Sequence, residues 1–373
     1  MQYSTFAAID IGSYDVILEI FEISKKQGIR SVDKICHRME LGKDTYTLGK
    51  IRPEMEEELC RVLADFVRIM EGYRVDDYRA TASSAISEAS NSLYVLGKIH
   101  QLTGLSVTVL SNSEQRFLSY KALAAMEDNF NKIIEKGTAI LDLDGGSFQI
   151  SLFDKDALVT TQNIRMGSLR IRERLAGIQS ETEHYEEMVE ELIWNEVSSF
   201  KKMYLKDRKI ENIMLIGDVF TDSVYQNIEE KTTKIISREN FNTWYEKIIH
   251  QSPMELAVKL GIPLENASLM YPSAVIYKCL IDMMGAEHIW IPGVHMTRGI
   301  AYEYAEQMKL LKGGHNFEND ILMAAKNIGK RYAVNRPHVQ NLEMTALAMF
   351  DATKKMHGMK ERERLLLQMA VML

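Results

Sequence analysis

The sequence predicts an α/β protein made of two similar lobes and a helical C-terminal segment. Apolar runs of strand length alternate with amphipathic helical stretches over most of the chain, which is typical of this class. One strand–turn–strand segment also occurs twice, about 130 residues apart, so each copy begins a unit of domain size. Only helical patterns follow residue 313. We therefore expect lobes over residues 1–125 and 126–312 and a helical segment over residues 313–373.

The composition narrows the class of protein. Of the 373 residues, 46% are hydrophobic and 26% are charged, which excludes extensive disorder. The net charge of −7 argues against a protein that coats nucleic acid, and no apolar stretch reaches the ~18 residues of a membrane span. The three cysteines are far apart, which excludes a disulfide scaffold. Because the N-terminus also lacks a basic, apolar leader, we expect a cytoplasmic protein without membrane or nucleic-acid partners.

Periodicity places the elements of the first lobe. Residues 53–70 predict an amphipathic helix, because apolar residues recur there at helical spacing. Pro53 suits the first helical position, and the acidic residues at 54–58 suit the positive end of the helix dipole. The other predicted elements are strands at 6–9, 16–23, 78–82 and 105–110, and helices from residue 83 and over 111–128.

The second lobe follows the same alternation. Strands are predicted at 138–143, 148–153, 157–162, 213–216 and near 288–291. Helices are predicted over 184–206 and over most of 240–312. Gly313–Gly314 is the best candidate for a linker in the chain.

The repeated segment suggests phosphate chemistry. Each copy is an apolar strand with an Asp near its end, a Gly–Ser turn and a returning strand. Glycines let backbone N–H groups approach an anion closely, a serine hydroxyl adds a donor, and the Asp can hold Mg²⁺ through water. The alternative is a pair of ordinary β-turns, since Asp and Gly also fill turns for backbone reasons. We call the two turns the first and second elbows; their residues are Asp10, Gly12 and Ser13, and Asp142, Gly145, Gly146 and Ser147.

The paired elbows resemble the phosphate loops of the actin-like ATPase superfamily, whose lobes have a ribonuclease-H-like fold. The sequence more closely resembles the exopolyphosphatase / guanosine pentaphosphate phosphohydrolase family. Five stretches carry this resemblance, and their order and spacing agree over about residues 5–310. They are residues 8–13, 82–91, 111–120, 142–147 and 166–170.

The resemblance implies an actin-like duplicated fold and hydrolysis of a phosphoanhydride, with inorganic polyphosphate or guanosine pentaphosphate as substrate. It implies Mg²⁺ at Asp10 and Asp142, phosphates held at both elbows, and catalytic roles for Glu114 and Gln149. Glu114 has a second interpretation, because Ser111-x-x-Glu114 is also a helix capping box. Arg170 is a candidate phosphate ligand, although it also fits a solvated charge in a run of charged residues.

Several departures from the family pattern fall on chemistry. Asp15 and Asp144 replace a serine and a glycine of the two loops, Ser87 replaces an arginine, and Gln149 replaces the glutamate thought to activate water. Because a general base contributes ~10²–10⁴-fold to a rate, these changes predict a slow enzyme or a silent relative that binds a phosphorylated ligand or a partner protein. An ATP-using relative of the sugar kinases is a third hypothesis, but the adenosine-type G-x-G-G motif is missing.

Residues 330–373 resemble the opening of the helical HD domain of longer family members. The sequence ends at Leu373, before the His-Asp pair of such a domain, so no HD-type metal site is expected. The apolar surface of the final helix favours burial against the core or in a homodimer.

Overall fold

The structure is a computed structural model, and it describes residues 3–126, 130–155, 157–176, 185–227, 234–311 and 315–373. The first lobe contains a five-stranded sheet in the order β3-β2-β1-β4-β5. The first three strands are antiparallel, whereas β4 and β5 continue parallel to β1. The strands are β1 (Ser4–Ile11), β2 (Asp15–Ser24), β3 (Gly28–Arg38), β4 (Asp77–Ala82) and β5 (Val107–Val109).

The second lobe repeats this topology. Its sheet has the order β8-β7-β6-β9-β11-β10, in which the first five strands have the same relative directions as their counterparts in the first sheet. Strand β10 is an added edge, antiparallel to β11. The duplicated actin-like α/β fold is thus confirmed. The strands are β6 (Thr138–Leu143), β7 (Phe148–Asp154), β8 (Ala157–Ile164), β9 (Asn212–Ile216), β10 (Ile235–Ser237) and β11 (His288–Trp290).

The predicted helix at residues 53–70 is confirmed as α2, which begins with Pro53 and buries an apolar stripe against the first sheet. Two short helices, α1 and α3, flank the cleft between the lobes. The helices of the first lobe are α1 (Leu41–Leu48), α2 (Pro53–Gly72), α3 (Ser84–Ser87), α4 (Ser92–Thr103), α5 (Asn112–Met126) and α6 (Phe130–Ile134).

In the second lobe the longest helix, α12, lies in the core and buries twelve side chains. The helical stretch predicted at 184–206 appears as α8 followed by a π-helical turn at Lys201–Leu205; its first residue lies outside the described residues. The helices are α7 (Ser168–Leu175), α8 (Tyr185–Phe200), α9 (Val219–Asn227), α10 (Arg238–Ile249), α11 (Pro253–Leu260), α12 (Leu264–Met284) and α13 (Met296–Gln307).

Helices α5 and α13 connect the two lobes. A Cβ on Gly299 of α13 would overlap the backbone of Leu118 in α5, so the close approach of the two helices requires glycine there. Tyr304 of α13 stacks on Phe6 of β1 with ring centroids 4.1 Å apart. Helix α13 therefore packs on the first sheet, although it belongs to the segment 126–312. The domain boundaries at 125/126 and 312/313 remain a prediction.

The C-terminal segment is helical, as predicted. It consists of α14 (Phe317–Arg331), α15 (Arg336–His357) and α16 (Glu361–Met372). Helix α14 packs on β8, where Asn327 donates a hydrogen bond to the carbonyl of Leu158 at 3.2 Å. The linker predicted at Gly313–Gly314 lies outside the described residues. In the part of the chain that the structure describes, none of the helices has the length and hydropathy of a membrane span.

Candidate active site between the lobes

A cavity of about 240 Å³ lies between the lobes and is lined by residues of both. Asp10 is the penultimate residue of β1, and Asp142 holds the same position in β6. Both side chains line the cavity, together with Gly12 and Gly145 of the two elbows. Asp142 is also the cross-strand partner of Gln149 in β7, which explains why that side chain reaches the same space. Duplicated topology therefore brings equivalent carboxylates to one site.

The two elbows touch each other. A Cβ on Gly145 would lie 3.3 Å from the Cβ of Ser13, which is closer than most such contacts in proteins. The glycine thus permits the backbone of the second elbow to approach the first. This convergence is the arrangement that a shared anion pocket requires.

Part of the space between the elbows is filled by Tyr46 of α1. Its hydroxyl lies 2.6 Å from Ser13 Oγ and 2.9 Å from Ser84 Oγ, and a Cβ on Gly146 would overlap it. Burial raises the pKa of Tyr46 to about 12, so the hydroxyl keeps its proton at neutral pH. A phosphate could reach Ser13 and Gly146 together only if this hydroxyl moved.

Asp144 occupies the backbone amides of the second elbow. Its Oδ1 accepts a hydrogen bond from Gly146 N at 2.5 Å and another from Ser147 N at 2.8 Å. Burial raises the pKa of Asp144, while these two hydrogen bonds work in the opposite direction. Gly146 and Ser147 donate their N–H groups to this carboxylate and do not line the cavity, and phosphate binding by them remains a prediction.

Burial and mutual repulsion make the cavity carboxyls unusually weak acids. Burial raises the pKa of Asp10 to about 8, and Asp15 and Asp144 add repulsion. Burial raises the pKa of Asp142 to about 7. It also raises the pKa of Asp218, which follows β9, to about 6. A ligand with positive charge is therefore favoured beside them.

The donor set fits a hydrated divalent cation. Oδ1 of Asp10 is buried and has no hydrogen-bond partner, so it is available as a ligand. Across the described ranges, no group of three or more His, Cys, Asp or Glu side chains is arranged to hold a metal. Mg²⁺ commonly keeps several waters and binds through one or two carboxylates plus substrate phosphates, which matches Asp10 and Asp142.

A model of the Ppx/GppA phosphatase family matches residues 19–308, which is more than half of the chain. The chain belongs to the Ppx/GppA phosphatase family. A curated relative, the bifunctional 3-dehydroquinate synthase/phosphatase of Fusobacterium nucleatum, is 22% identical over 304 residues, covering 76% of this chain and 44% of the relative. Exopolyphosphatase 1 of Mycobacterium leprae is 25% identical over 144 residues, covering 38% of this chain and 41% of the relative. The chain spans less than half the length of these relatives.

Solved structures of Ppx/GppA proteins share the fold. An exopolyphosphatase from Cytophaga hutchinsonii superimposes with a TM-score of 0.72 and 17% identity, over 82% of this chain and 98% of that protein. The Aquifex aeolicus family member gives a TM-score of 0.67, also with 17% identity, over 82% of this chain and 99% of its own. At this level of identity the comparison establishes the actin-like fold alone.

Within this Ppx/GppA protein, Glu114 forms a capping box at the start of α5. Its Oε2 accepts hydrogen bonds from Ser111 N at 2.9 Å and Ser111 Oγ at 2.8 Å, and its own N–H donates to Ser111 Oγ. The backbone hydrogen bond from Ser111 lowers the pKa of Glu114. The side chain is exposed and does not line the cavity. These contacts favour the capping interpretation, while a catalytic role stays a prediction.

Gln149 and Arg170 differ in their access to the cavity. Gln149 is buried and lines it, and its Oε1 has no hydrogen-bond partner. Arg170 does not line it: Nε donates to Gly146 O at 2.8 Å, an Nη donates to Glu88 at 3.0 Å, and the guanidinium stacks on Tyr46 at 3.8 Å. These contacts brace the second elbow. A phosphate contact by Arg170 remains a prediction.

Two contributors to the site were not assigned a role from the sequence. Asp218 lines the cavity, and its Oδ1 accepts hydrogen bonds from Thr221 N at 3.0 Å and Tyr277 Oη at 3.2 Å. It lies two residues beyond the buried strand β9, whereas Asp10 and Asp142 are the penultimate residues of their strands, so only its place near a strand end could have indicated it. Tyr46 is the second, and nothing in the sequence near it indicates contact with Ser13, 33 residues away.

Proposed function

We propose that this Ppx/GppA protein is a slow phosphohydrolase that releases the terminal phosphate of a phosphoanhydride chain in the interlobe cavity. Inorganic polyphosphate and guanosine pentaphosphate are the candidate substrates. The observation that carries the proposal is the convergence of both elbows and of Asp10 and Asp142 on one cavity. Family membership supports the reaction class.

A polyanion can bind in this cavity only if positive charge neutralises the negative charge of the cavity carboxylates. Lys34 and His295 also line the cavity, and Nε2 of His295 lies 3.4 Å from Oδ1 of Asp222. Asp10 and Asp142 would hold Mg²⁺, which would neutralise phosphate charge when bound. The phosphate chain should therefore bind together with the cation.

The side chain of Gln149 is placed to orient a water molecule. Its buried, unpartnered Oε1 can accept a hydrogen bond from a water molecule, as a glutamine does in small GTPases. As the water oxygen attacks the terminal phosphorus, the bond from phosphorus to the bridging oxygen breaks, and the shortened chain leaves with the bonding electrons. A cavity carboxylate accepts the proton of the water; burial raises the pKa of Asp218 to about 6, which suits this side chain to that step near neutral pH.

A silent phosphate-binding protein is the second candidate. It is favoured by the absence of a glutamate at position 149 and by the commitment of Glu114 to its capping box. A glutamine cannot take a proton from water, so loss of the base would leave binding without turnover.

Phosphate release measured with and without Mg²⁺ tests these candidates. Long-chain polyphosphate and guanosine pentaphosphate are assayed separately, with Asp142→Asn as the control for contaminating phosphatases. The proposal predicts release that depends on Mg²⁺ and is strongly reduced in the variant. An absence of release combined with a ligand-induced rise in Tm would support the silent protein instead. If neither release nor a rise in Tm occurs, both candidates are wrong.

We also propose a cytoplasmic location and keep the homodimer as a prediction. Cys36, Cys60 and Cys279 are all free, which suits a reducing compartment. The C-terminal helices expose large apolar side chains, including Met344, Met356 and Leu366, that a second copy could cover. Sedimentation of the full chain measures the association state.

A further inference from the structure

We propose that Asp144 is an internal competitor of phosphate, a specificity-determining side chain that occupies the anion position of the second elbow. This inference rests on the proposed function, because it concerns the same cavity. It assigns to Asp144 the role of setting how tightly a phosphate chain binds.

The hydrogen bonds of the second elbow support this role. The N–H groups of Gly146 and Ser147 both donate to one oxygen of Asp144. The carbonyl oxygens are also engaged, because Arg170 N donates to Gly145 O at 2.9 Å and Arg170 Nε donates to Gly146 O at 2.8 Å. The two amides can therefore receive an external anion only after the carboxylate leaves.

The backbone around Asp144 is fixed, whereas its side chain can leave by rotation. Asp144 N donates to Ser147 O at 3.0 Å, and Asp144 O accepts from Ser168 N at 3.2 Å. A Cβ on Gly167 would overlap the backbone of the elbow, so α7 begins in direct contact with it. Release of the two amides by Asp144 thus requires rotation of its side chain and no movement of the loop backbone.

The charge of the cavity opposes that displacement. A rotated carboxylate would remain beside Asp10 and Asp142, both of which already line the cavity. An anion arriving without a cation would add to the same repulsion. Asp144 therefore favours ligands that bring a divalent cation and discriminates against free phosphate.

Three variants distinguish two effects of Asp144 on phosphate binding: its hydrogen bonds to the two amides and its negative charge. Asp144→Gly removes both, whereas Asp144→Asn keeps an oxygen that can accept from the same amides and removes the charge. Asp222→Asn removes a charge from another cavity-lining residue, one whose observed partner is His295. The probe is sodium tripolyphosphate with Mg²⁺, titrated calorimetrically into the 373-residue chain.

We expect Asp144→Gly to bind tripolyphosphate about tenfold or more tightly than wild type, which is the scale of two charge-assisted hydrogen bonds. The affinity of Asp144→Asn for tripolyphosphate should lie between those of wild type and Asp144→Gly. It should also be higher than the affinity of Asp222→Asn. Equal affinity of both Asp144 variants and wild type, or of Asp144→Asn and Asp222→Asn, would overturn the inference. If the glycine variant fails to fold by circular dichroism, the comparison of the two asparagine variants decides.

The outcomes also separate this inference from the proposed function. Wild type that releases phosphate and Asp144 variants with unchanged affinity would overturn the inference alone. Binding by Asp144→Gly but not by wild type would support it. If no form of the chain binds tripolyphosphate, the inference and the proposed binding site are both wrong.

Discussion

Tyr14 and Asn266 are joined across the cleft: the Tyr14 hydroxyl donates a hydrogen bond to Oδ1 of Asn266 at 2.7 Å. Tyr14 directly follows the first elbow, and Asn266 lies in the first turn of α12 in the second lobe. The Tyr14 ring also packs with Leu169 and Leu269 of the second lobe. Arg172 crosses the same cleft to Glu40 at 2.8 Å. These contacts therefore join the two lobes directly beside the elbows.

Loss of the hydrogen bond between Tyr14 and Asn266 should destabilise the folded protein. Tyr14→Phe and Asn266→Ala should each reduce the free energy of unfolding by about 1 kcal/mol, the usual contribution of a neutral hydrogen bond. The double variant should cost less than the sum, because the first change already removes the bond. Urea unfolding of the four proteins measures the coupling. Strict additivity would show that the bond contributes nothing in solution.

Glu114 should act through its helix rather than through catalysis. Glu114→Ala removes the capping box and should reduce stability by about 1 kcal/mol. Glu114→Gln keeps a side chain that can complete the box, so it should retain both stability and turnover. Thermal unfolding and phosphate release of the two variants measure this. A large fall in kcat for Glu114→Gln at unchanged Tm would instead establish a catalytic carboxylate.

Restoring a carboxylate at position 149 should raise turnover. Gln149→Glu places a base beside the proposed position of the attacking water, and a base contributes ~10²–10⁴-fold in other enzymes, so we expect a gain of about tenfold or more. Because Asp142 is its cross-strand partner, the new carboxylate should also lower Tm in metal-free buffer. Phosphate release and thermal unfolding, with Gln149→Ala as the control, test this. Turnover no higher than wild type would mean that another defect limits the reaction.

Asp10 should make the metal-free protein less stable as the pH rises. Its pKa is raised from 3.8 to about 8, so the folded state binds more protons than the unfolded state between these values and loses stability across that range. Asp10→Asn should therefore have a higher Tm than wild type at pH 8, and the difference should shrink towards pH 4. Mg²⁺ should raise the Tm of wild type more than that of the variant. A pH-independent difference would contradict this explanation.

The duplicated fold could be predicted from the sequence because the patterns that indicate it are local. Apolar strands, Gly–Ser turns and the amphipathic pattern at residues 53–70 each depend on neighbouring residues. Strand β3 was missed because it lies at the edge of the sheet, and its side chains are largely polar and partly exposed. Strand β10 was also missed; like β3, it lies at the edge of its sheet.

The site was harder to predict because its decisive contacts are distant in sequence or depend on side-chain geometry. Asp10 and Asp142 could be identified from their place near the ends of equivalent strands. The insertion of Tyr46 between the elbows could not, since no periodicity connects α1 to Ser13. The sequence showed that Asp144 replaces a glycine, but only the structure shows its carboxylate on two amides of the same loop.

A crystal structure of the chain with Mg²⁺ and tripolyphosphate would show where a phosphate chain binds. We expect the phosphate chain in the interlobe cavity, a cation beside Asp10 and Asp142, and rotation of the Asp144 side chain away from the amides of Gly146 and Ser147. Tripolyphosphate bound outside the cleft, with Tyr46 and Asp144 in their present positions, would contradict both the proposed site and the role of Asp144.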